Sequence, residues 1–345
     1  MDQSLSKRGT IASVASIAGV SIPTVSRVLH NRPDVAPETR KRVEEAIKES
    51  GFVRNQVKHP LRRKSSNIVD MLVPGFDSLY ALEIMRGVEE VLARTEFRMA
   101  ISATHDSFQL EQRWLTKALN GGATDGALLV LSQGQQQYFD TLRHHNIPFV
   151  VVDQRGELGP NIPSVGATNW LGGRIATEYL VSLGHHRIAV ISGPPLLRCS
   201  QDRLAGYRVA LEDAGIAFEP ELVRSGAFQQ QDGYDQACIL MDLPEPPTAI
   251  FAGNDVQAMG VYGALRARGL HVPDDVSVIG FDDVAISSVS TPALTTVRQP
   301  LIEMGRVATT MLLHLIAGDP LDSTRVELTT TLTVRDSCAP NHARL

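Results

Sequence analysis

Apolar residues near the N-terminus recur at the spacing of three short helices. The pattern predicts a first helix over residues 11–18, and Gly19 ends it because glycine readily adopts the left-handed conformation that follows a helix. Ser21 is a suitable N-cap for a second helix over residues 22–29. A third helix over residues 37–50 begins with a proline, which the first helical turn tolerates. We therefore expect a small all-α head.

From residue 67 onward, short runs of β-branched residues alternate with amphipathic stretches of helical spacing. This alternation is typical of parallel sheets with crossover helices, and about 270 residues of it indicate an α/β body of two doubly wound lobes. The predicted strands cover residues 68–73, 98–102, 127–131, 148–153, 187–192, 248–252 and 276–280, and the helices between them include residues 82–94, 109–119 and 172–183.

The composition excludes several classes of protein. With 43% hydrophobic and 21% charged residues, the 345-residue chain is neither disordered nor collagen-like. We find no apolar run of about 18 residues and no export signal before the first helix, so we expect no membrane partner. Three widely separated cysteines exclude a disulfide framework and a CxxC zinc site. A cytoplasmic location is the expectation.

The net charge of −5 conceals an uneven distribution. Residues 1–64 contain 13 Lys and Arg against 6 Asp and Glu, which gives +7, and the remainder of the chain therefore carries −12. A basic head on an acidic body favours a polyanion-binding module, although a solvated charged surface would show the same charges.

Ala15, Gly19 and Val25 are spaced as in a helix-turn-helix, a spacing that unrelated three-helix bundles share. The longer string IASVASIAGVSIPTVSRVLHNRPDVAPETRKRVEEAIKESGF is more specific. It resembles the DNA-binding head of the LacI/GalR family of bacterial transcription repressors, and the resemblance continues to about residue 337. The resemblance implies a recognition helix in the major groove, with Ile22, Pro23 and Arg27 at its base-reading positions.

The chemistry of these positions differs. Arg27 can donate two hydrogen bonds to guanine O6 and N7, whereas Ile22 and Pro23 offer only shape and contact with thymine methyl groups. His30 stands where the family usually has Asn, and Ala36 replaces the usual cap of the third helix. The residues suited to phosphate contacts, which position the protein without reading sequence, are Ser21, Thr24, Ser26, Asn31, Thr39 and Arg40.

Residues 54–66 form the linker between head and body. By the resemblance they form a hinge helix on DNA, in which Leu61 is the wedge inserted into the minor groove. Lys58 replaces the small residue that usually faces the groove, and Pro60 removes a hydrogen-bond donor from the helix. A disordered basic linker that contacts phosphates therefore remains an alternative.

Polar and aromatic side chains follow the predicted strands of the body, where ligands of such folds bind. They suit a polyhydroxylated ligand, although capping of loops would also use them. The segments DRLAGY, AGND, VSVIGFDD and LTTVRQP resemble the periplasmic-binding-protein-like core of the same family. Trp170 either stacks on a sugar or fills a lobe interface, and Asp255 is expected to cap a helix. The candidate effector residues are Phe76, Asp77, Tyr80, Asp153, Trp170, Arg203, Asn254, Phe281 and Asp282.

The expected domains are a helix-turn-helix head over residues 8–53, with its core at about 11–30, the linker over 54–66, a two-lobed core over 67–338 and a tail over 339–345. We expect lobe 1 to comprise about 67–167 and 298–325, and lobe 2 about 168–296 and 326–338. The chain has no leucine-heptad tail of the kind that makes tetramers in some relatives, so a homodimer is expected.

Catalytic chemistry is not indicated. The chain has no P-loop, GxSxG, HExxH or GxGxxG motif, and Asp282 and Asp283 should point to opposite faces of a strand. The His144-His145 and His185-His186 pairs lack a third metal ligand and are interpreted as solvated helix ends. We expect no enzyme, cofactor or metal. A sugar-binding protein that does not bind DNA and a two-domain α/β enzyme are the alternatives.

The favoured hypothesis is a repressor controlled by allostery. A dimer would place its two heads on a near-palindromic operator, and a small effector, with a sugar as the favoured class, would shift the lobes and release the DNA. Neither the effector, the operator sequence, nor the direction of the response is specified by the sequence, and release is taken from the commoner behaviour of the family.

Overall fold

The computed structural model describes residues 11–29, 35–50, 66–121 and 123–341. The chain divides into two compact units, Met1–Lys64 and Ser65–Leu345. Within those described ranges no helix is long and apolar enough to cross a membrane.

The N-terminal unit contains three helices packed around a small apolar core. They are α1 (Ile11–Ala18), α2 (Ile22–Leu29) and α3 (Pro37–Glu49). Gly19 has a φ of +64°, the left-handed conformation expected of the residue that ends α1. Apolar residues three and four positions apart lie on one face of each helix, and these faces of α1, α2 and α3 pack together. The buried residues are Val14, Ala15, Ala18, Val25, Val28, Val43 and Ala46.

The larger unit is an α/β structure with two sheets. Its strands are, in chain order, β1 (Ile68–Val73), β2 (Arg98–Ala103), β3 (Gly126–Val130), β4 (Phe149–Val152), β5 (Ser164–Ala167), β6 (Ile188–Ser192), β7 (Val223–Ser225), β8 (Ala249–Ala252), β9 (Ser277–Asp282), β10 (Thr295–Arg298), β11 (Arg325–Leu328) and β12 (Thr331–Thr333). Its helices are α4 (Leu79–Leu92), α5 (Phe108–Leu119), α6 (Gln136–His144), α7 (Asn169–Ser182), α8 (Arg198–Asp213), α9 (Gln230–Met241), α10 (Asp255–Ala267), α11 (Ala285–Val289) and α12 (Leu301–Ala317).

Both sheets have the same winding. The strand order is β11-β5-β4-β3-β1-β2 in lobe 1 and β12-β10-β9-β8-β6-β7 in lobe 2. Neighbouring strands are parallel except β10 and β12, which are antiparallel. The central strands β3, β4, β6, β8 and β9 are buried at every position, because helices cover both faces of each sheet. The predicted fold class, two doubly wound lobes, is confirmed.

The chain passes between the lobes three times: between β5 and α7, between β10 and α12, and between β11 and β12. The return to lobe 2 follows Leu328, close to the expected position, but the assignment of residues 326–328 to lobe 2 is wrong. Val326 pairs with Val165 in the lobe 1 sheet, and with Leu328 it packs against the apolar core of that lobe. Lobe 1 therefore keeps β11, and lobe 2 receives only β12.

Two glycines allow α7 and α8 to cross closely in lobe 2. A β-carbon on Gly173 would collide with the carbonyl oxygen of Arg203, and one on Gly206 would collide with that of Trp170. Because the contact is with backbone, no side-chain movement relieves it. The close crossing therefore determines the position from which the side chain of Arg203 extends from α8.

Candidate functional site

A cavity of about 400 Å³ lies between the two lobes, outside the carboxyl ends of their strands. Lobe 1 contributes the loops after β1, β2, β3 and β4, and lobe 2 contributes the start of α8 and the loops after β7, β8 and β9. This volume is typical of a small-molecule site. Six of the predicted effector residues line the cavity: Asp77, Tyr80, Asp153, Arg203, Asn254 and Asp282.

The guanidinium group of Arg203 is the best-supported polar group of the cavity. Its Nε donates to Oδ1 of Asn169 at 2.9 Å, and Nη1 donates to the carbonyl oxygen of Gly253 at 2.6 Å. The remaining nitrogen, Nη2, lies 3.8 Å from Oδ1 of Asp282. The ring of Phe281 lies 3.6 Å from the guanidinium carbon, a cation–π contact. Arg203 is thus held in one orientation with Nη2 nearest to Asp282.

Asp282 is the acidic partner of Arg203 at the end of β9. Its Oδ1 accepts a hydrogen bond of 2.7 Å from Nε2 of Gln299. Burial raises the pKa of Asp282 to about 6, and the positive charge of Arg203 opposes that rise. Its φ of +116° is unusual for a residue with a side chain and turns the chain away from the strand direction. The carboxyl group keeps accepting capacity for a hydroxyl donor.

Asp153 gives the cavity a second buried carboxyl group, from lobe 1. Its Oδ2 accepts a hydrogen bond of 3.0 Å from the hydroxyl of Tyr80. Burial raises the pKa of Asp153, and the charge of Arg203 opposes the shift. Asp153 has a φ of +55° directly after β4. Two carboxyl groups, one per lobe, therefore flank Arg203.

Asn254 lines the cavity but its amide also caps α10. Its Oδ1 accepts from the backbone nitrogen of Gln257 at 2.8 Å, and its Nδ2 donates to the carbonyl oxygen of Phe228 at 3.2 Å. The expected capping role of Asp255 is therefore wrong. Asp255 is fully buried and accepts instead from Thr296 at 2.6 Å and from the backbone of Val284 at 2.9 Å.

Three predicted effector residues do not line the cavity. Phe76 is 70% exposed in the loop after β1. Trp170 is 39% exposed on α7, where Arg174 lies over its ring, so Trp170 neither lines the cavity nor is buried at a lobe interface. Phe281 is fully buried in the lobe 2 core, because side chains alternate along β9 and Asp282 takes the cavity side. The ring of Phe281 instead packs against the guanidinium group of Arg203.

Several residues that line the cavity are not among the predicted effector residues. Phe228 lines the cavity with a φ of +63°, and its ring fills the space that a side chain on Gly193 would need. Arg155 forms an ion pair of 2.5 Å with Asp106. Cys199 lies in the wall, and burial raises its pKa to about 12. Arg155 follows a predicted strand and was therefore detectable, whereas Phe228 follows a three-residue strand with little sequence pattern.

The residues predicted to contact DNA are only partly described. Ser21 and Arg27 are exposed on the N-terminal unit, while Thr24, Thr39 and Arg40 are half-buried. The Ser21 hydroxyl lies 2.9 Å from that of Thr24 and accepts from its backbone nitrogen at 3.4 Å. The side chains of Ile22, Pro23 and Ser26, and the whole of His30, Asn31, Lys58, Pro60 and Leu61, lie outside the described residues. Ala36 makes no side-chain cap on α3, as expected.

The structure corrects one histidine interpretation. His144, His145 and His186 are exposed, but His185 is 3% exposed. Its Nδ1 lies 2.9 Å from the hydroxyl of Thr248, and its Nε2 lies 3.2 Å from the carbonyl oxygen of Ala339. Burial lowers the pKa of His185. Residues 339–341, the described part of the predicted tail, are hydrogen-bonded to lobe 2 through Ala339 and Asn341. Across the described ranges, no group of three His, Cys, Asp or Glu side chains could hold a metal ion.

Comparison with known families gives two matches. Residues 10–55 match the model described as bacterial regulatory proteins, lacI family. Residues 177–338 match the model of the periplasmic binding protein-like domain.

Similar proteins cover nearly the whole chain. The ribose operon repressor of Escherichia coli strain K12 is 34% identical over 329 residues, which are 95% of this chain and 99% of the relative. A solved complex of the transcriptional regulator CelR with cellobiose is 33% identical, with a TM-score of 0.73 over 96% of this chain and 100% of that one. The lac repressor dimer bound to operator and an anti-inducer is 27% identical, with a TM-score of 0.70 over 96% and 100%.

Proposed function

Since the chain belongs to the lacI family of bacterial regulatory proteins, we propose that it binds operator DNA through its N-terminal helices and releases it when a sugar enters the cavity between the lobes. It is a ligand-responsive transcription regulator and not an enzyme, because its relatives are transcriptional repressors. The family resemblance stated from the sequence is thus confirmed, and the regulator interpretation is favoured over a sugar-binding protein or an enzyme.

The DNA-binding part of the proposal rests on the basic N-terminal segment and its helix-turn-helix. Arg27 is exposed on α2 and supplies the base-reading donors, with Ile22 and Pro23 contributing shape. Ser21, Thr24, Ser26, Asn31, Thr39 and Arg40 contact phosphates. In the linker, Leu61 inserts into the minor groove beside Lys58.

The sugar part of the proposal rests on one observation. Arg203 and Asp282 are both buried and hydrogen-bonded to other residues of the protein, and both line the cavity. Asp153 and Asp282 accept from hydroxyl groups, Nη2 of Arg203 donates to them, and Tyr80 and Phe228 offer ring faces from opposite lobes. Each sugar hydroxyl both donates and accepts, which matches this mixed set. The cellobiose complex of the similar regulator CelR supports a sugar ligand.

The assembly follows the same relatives. The lac repressor bound to operator is a dimer, which supports a homodimer on a near-palindromic operator. We place residues 8–53 in the head and 54–66 in the linker, with β11 added to lobe 1. A DNA-binding repressor acts in the cytoplasm, which is the location we propose.

Selection of DNA from a random duplex pool tests the first part. The wild-type protein should enrich a near-palindromic sequence. Arg27→Ala should lose about 1–3 kcal/mol of discrimination at one base pair of each half-site, because the guanine contact disappears. Arg42→Ala removes an exposed charge of α3 and should leave the sequence preference intact. Full discrimination by Arg27→Ala would contradict the base-reading assignment.

A thermal-shift screen against pentoses, hexoses, disaccharides, nucleosides and bases tests the second part. A ligand at about 100 times its Kd adds about 2.7 kcal/mol of stability. Asp282→Ala should abolish that shift. A nucleoside or base as the sole hit would replace the sugar class and keep the cavity assignment.

A further inference from the structure

Two of the segments that join the lobes each hold one member of the Arg203–Asp282 pair. Asn169 begins α7 directly after the first crossing, and its Oδ1 accepts from Nε of Arg203 at 2.9 Å. Gln299 lies in the second crossing, between β10 and α12, and its Nε2 donates to Asp282 at 2.7 Å. The two polar groups that line the cavity are therefore bonded to segments that join the lobes.

These contacts leave the two amides little freedom. Asn169 and Gln299 are 6% and 3% exposed. The Nδ2 of Asn169 donates to the carbonyl oxygen of Ala167, and the backbone nitrogen of Gln299 donates to the carbonyl oxygen of Asp282 at 3.2 Å. The Oε1 of Gln299 has no hydrogen-bond partner within the described part of the chain. An amide half-satisfied in a buried place is costly, so packing alone does not explain its position there.

The third crossing is bonded to the first. The backbone nitrogen of Thr330 donates to the Thr168 hydroxyl at 2.9 Å, and the Thr330 hydroxyl donates to the Thr168 carbonyl oxygen at 3.1 Å. The backbone nitrogen of Thr168 donates to the carbonyl oxygen of Leu328 at 3.0 Å. The first and third crossings are therefore joined by hydrogen bonds, and Arg203 is attached to them through Asn169, while Asp282 is attached to the second crossing.

We propose that Asn169 and Gln299 are positioning residues that transmit occupancy of the cavity to the crossings between the lobes. This inference rests on the proposed function, in which a sugar contacts Arg203 and Asp282. A ligand shifts a conformational equilibrium only through contacts that differ between the states. A sugar that bonds Arg203 and Asp282 on lobe 2 together with Asp153 on lobe 1 favours the arrangement of the lobes in which all three contacts are made. The two amides connect Arg203 and Asp282 to the crossings, so that this arrangement is passed to the segments that join the lobes.

The experiment measures two quantities on the full-length protein with D-ribose and with cellobiose. One is the Kd of the sugar, and the other is the coupling factor, the ratio of the Kd values for selected operator DNA with and without saturating sugar. Coupling of about 5- to 150-fold is expected for the wild type. The variants are Asn169→Ala, Gln299→Met, which removes the amide at similar volume, and Asn169→Asp, which keeps the acceptor for Arg203. Gln231→Ala removes an exposed amide of α9 and serves as the matched control.

The inference predicts that Asn169→Ala and Gln299→Met bring the coupling factor to within about twofold of 1, while the sugar Kd rises less than about tenfold. Asn169→Asp should restore coupling, and Gln231→Ala should match the wild type. Unchanged coupling in both amide variants overturns the inference alone, as does a rise of the sugar Kd by more than about tenfold in both, since the amides would then act on sugar binding itself. A wild-type protein that responds to neither sugar overturns the proposed effector class, and the inference with it.

Discussion

The two lobes share one strand order but contribute to the cavity in different ways. Lobe 2 supplies Arg203, Asn254 and Asp282, which are each less than a tenth exposed. Arg203 and Asn254 are bonded within that lobe, and Asp282 is bonded to Gln299 in the second crossing. Lobe 1 supplies Asp77 and the exposed Asp106–Arg155 ion pair, with Asp153 as its one deeply buried group among the predicted effector residues. Burial and bonding of the polar groups before any ligand arrives make lobe 2 the preorganised half of the site. Lobe 1 contributes the more exposed half of the site.

The largest expected difference between the lobes is in stability. Arg203→Ala leaves Asp282 as a buried carboxyl group without its charge partner and should cost about 3–5 kcal/mol in the free energy of unfolding, measured with urea. The double variant Arg203→Met, Asp282→Leu is the control, since it removes both charges and should recover most of that loss. An Arg203→Ala protein as stable as the wild type would contradict the conclusion that lobe 2 is the preorganised half of the site.

Glycine substitutions at the helix crossings should cause the next largest loss of stability. Their effects on sugar affinity should differ between the two lobes. Gly173→Ala forces α7 away from the Arg203 backbone and should cost about 1–3 kcal/mol, with a weaker affinity for sugar. Gly87→Ala in α4 meets the backbone of Ile302 in lobe 1 and should cost as much stability. Because Gly87 is remote from the lobe 2 groups, Gly87→Ala should weaken the affinity for sugar less than Gly173→Ala does. Equal losses of affinity in both variants would contradict the division of roles.

Affinity for sugar should depend on pH through Asp282. Burial raises its pKa to about 6, with Arg203 and Gln299 opposing the rise and Asp153 adding to it. A hydroxyl that donates to the carboxylate favours the ionised form, so binding releases a proton. Affinity should therefore rise with pH up to about 6 and then level off, being about tenfold weaker at pH 5 than at pH 7. Calorimetry would show this, and Asp282→Asn should weaken the dependence and leave the part that Asp153 contributes, because burial raises the pKa of that carboxyl group as well.

The smallest effect is expected in lobe 1. Arg155→Ala breaks an ion pair whose Asp106 partner is 60% exposed, so the loss of stability should be about 0–1 kcal/mol. Urea unfolding beside Arg203→Ala makes the comparison direct. A loss as large as that of Arg203→Ala would show that the lobe 1 half is equally preorganised.

The sequence predicted the fold more completely than the site. Strands such as β3 and β9 are continuous apolar runs followed by polar residues, so their existence and the position of Asp282 were readable. The assignment of Val326 was not, because β11 and β12 are short, adjacent strands, and only tertiary pairing decides which sheet each joins.

The errors within the site have a related cause. Phe281 and Asp282 are neighbours in sequence, and the alternation along β9 decides which of them meets the cavity. Trp170 follows the first crossing, but the rotation of α7 places its ring on the surface. Gln299 and Asn169 matter through partners more than 15 residues away along the chain, which spacing does not reveal.

The most direct test of the account is the affinity of full-length protein for its selected operator, measured by fluorescence anisotropy with and without D-ribose or cellobiose. The account predicts that one of these sugars weakens operator binding about 5- to 150-fold in the wild type and leaves Asp282→Ala unaffected. Operator affinity that neither sugar changes, or a sugar response that survives in Asp282→Ala, would contradict it.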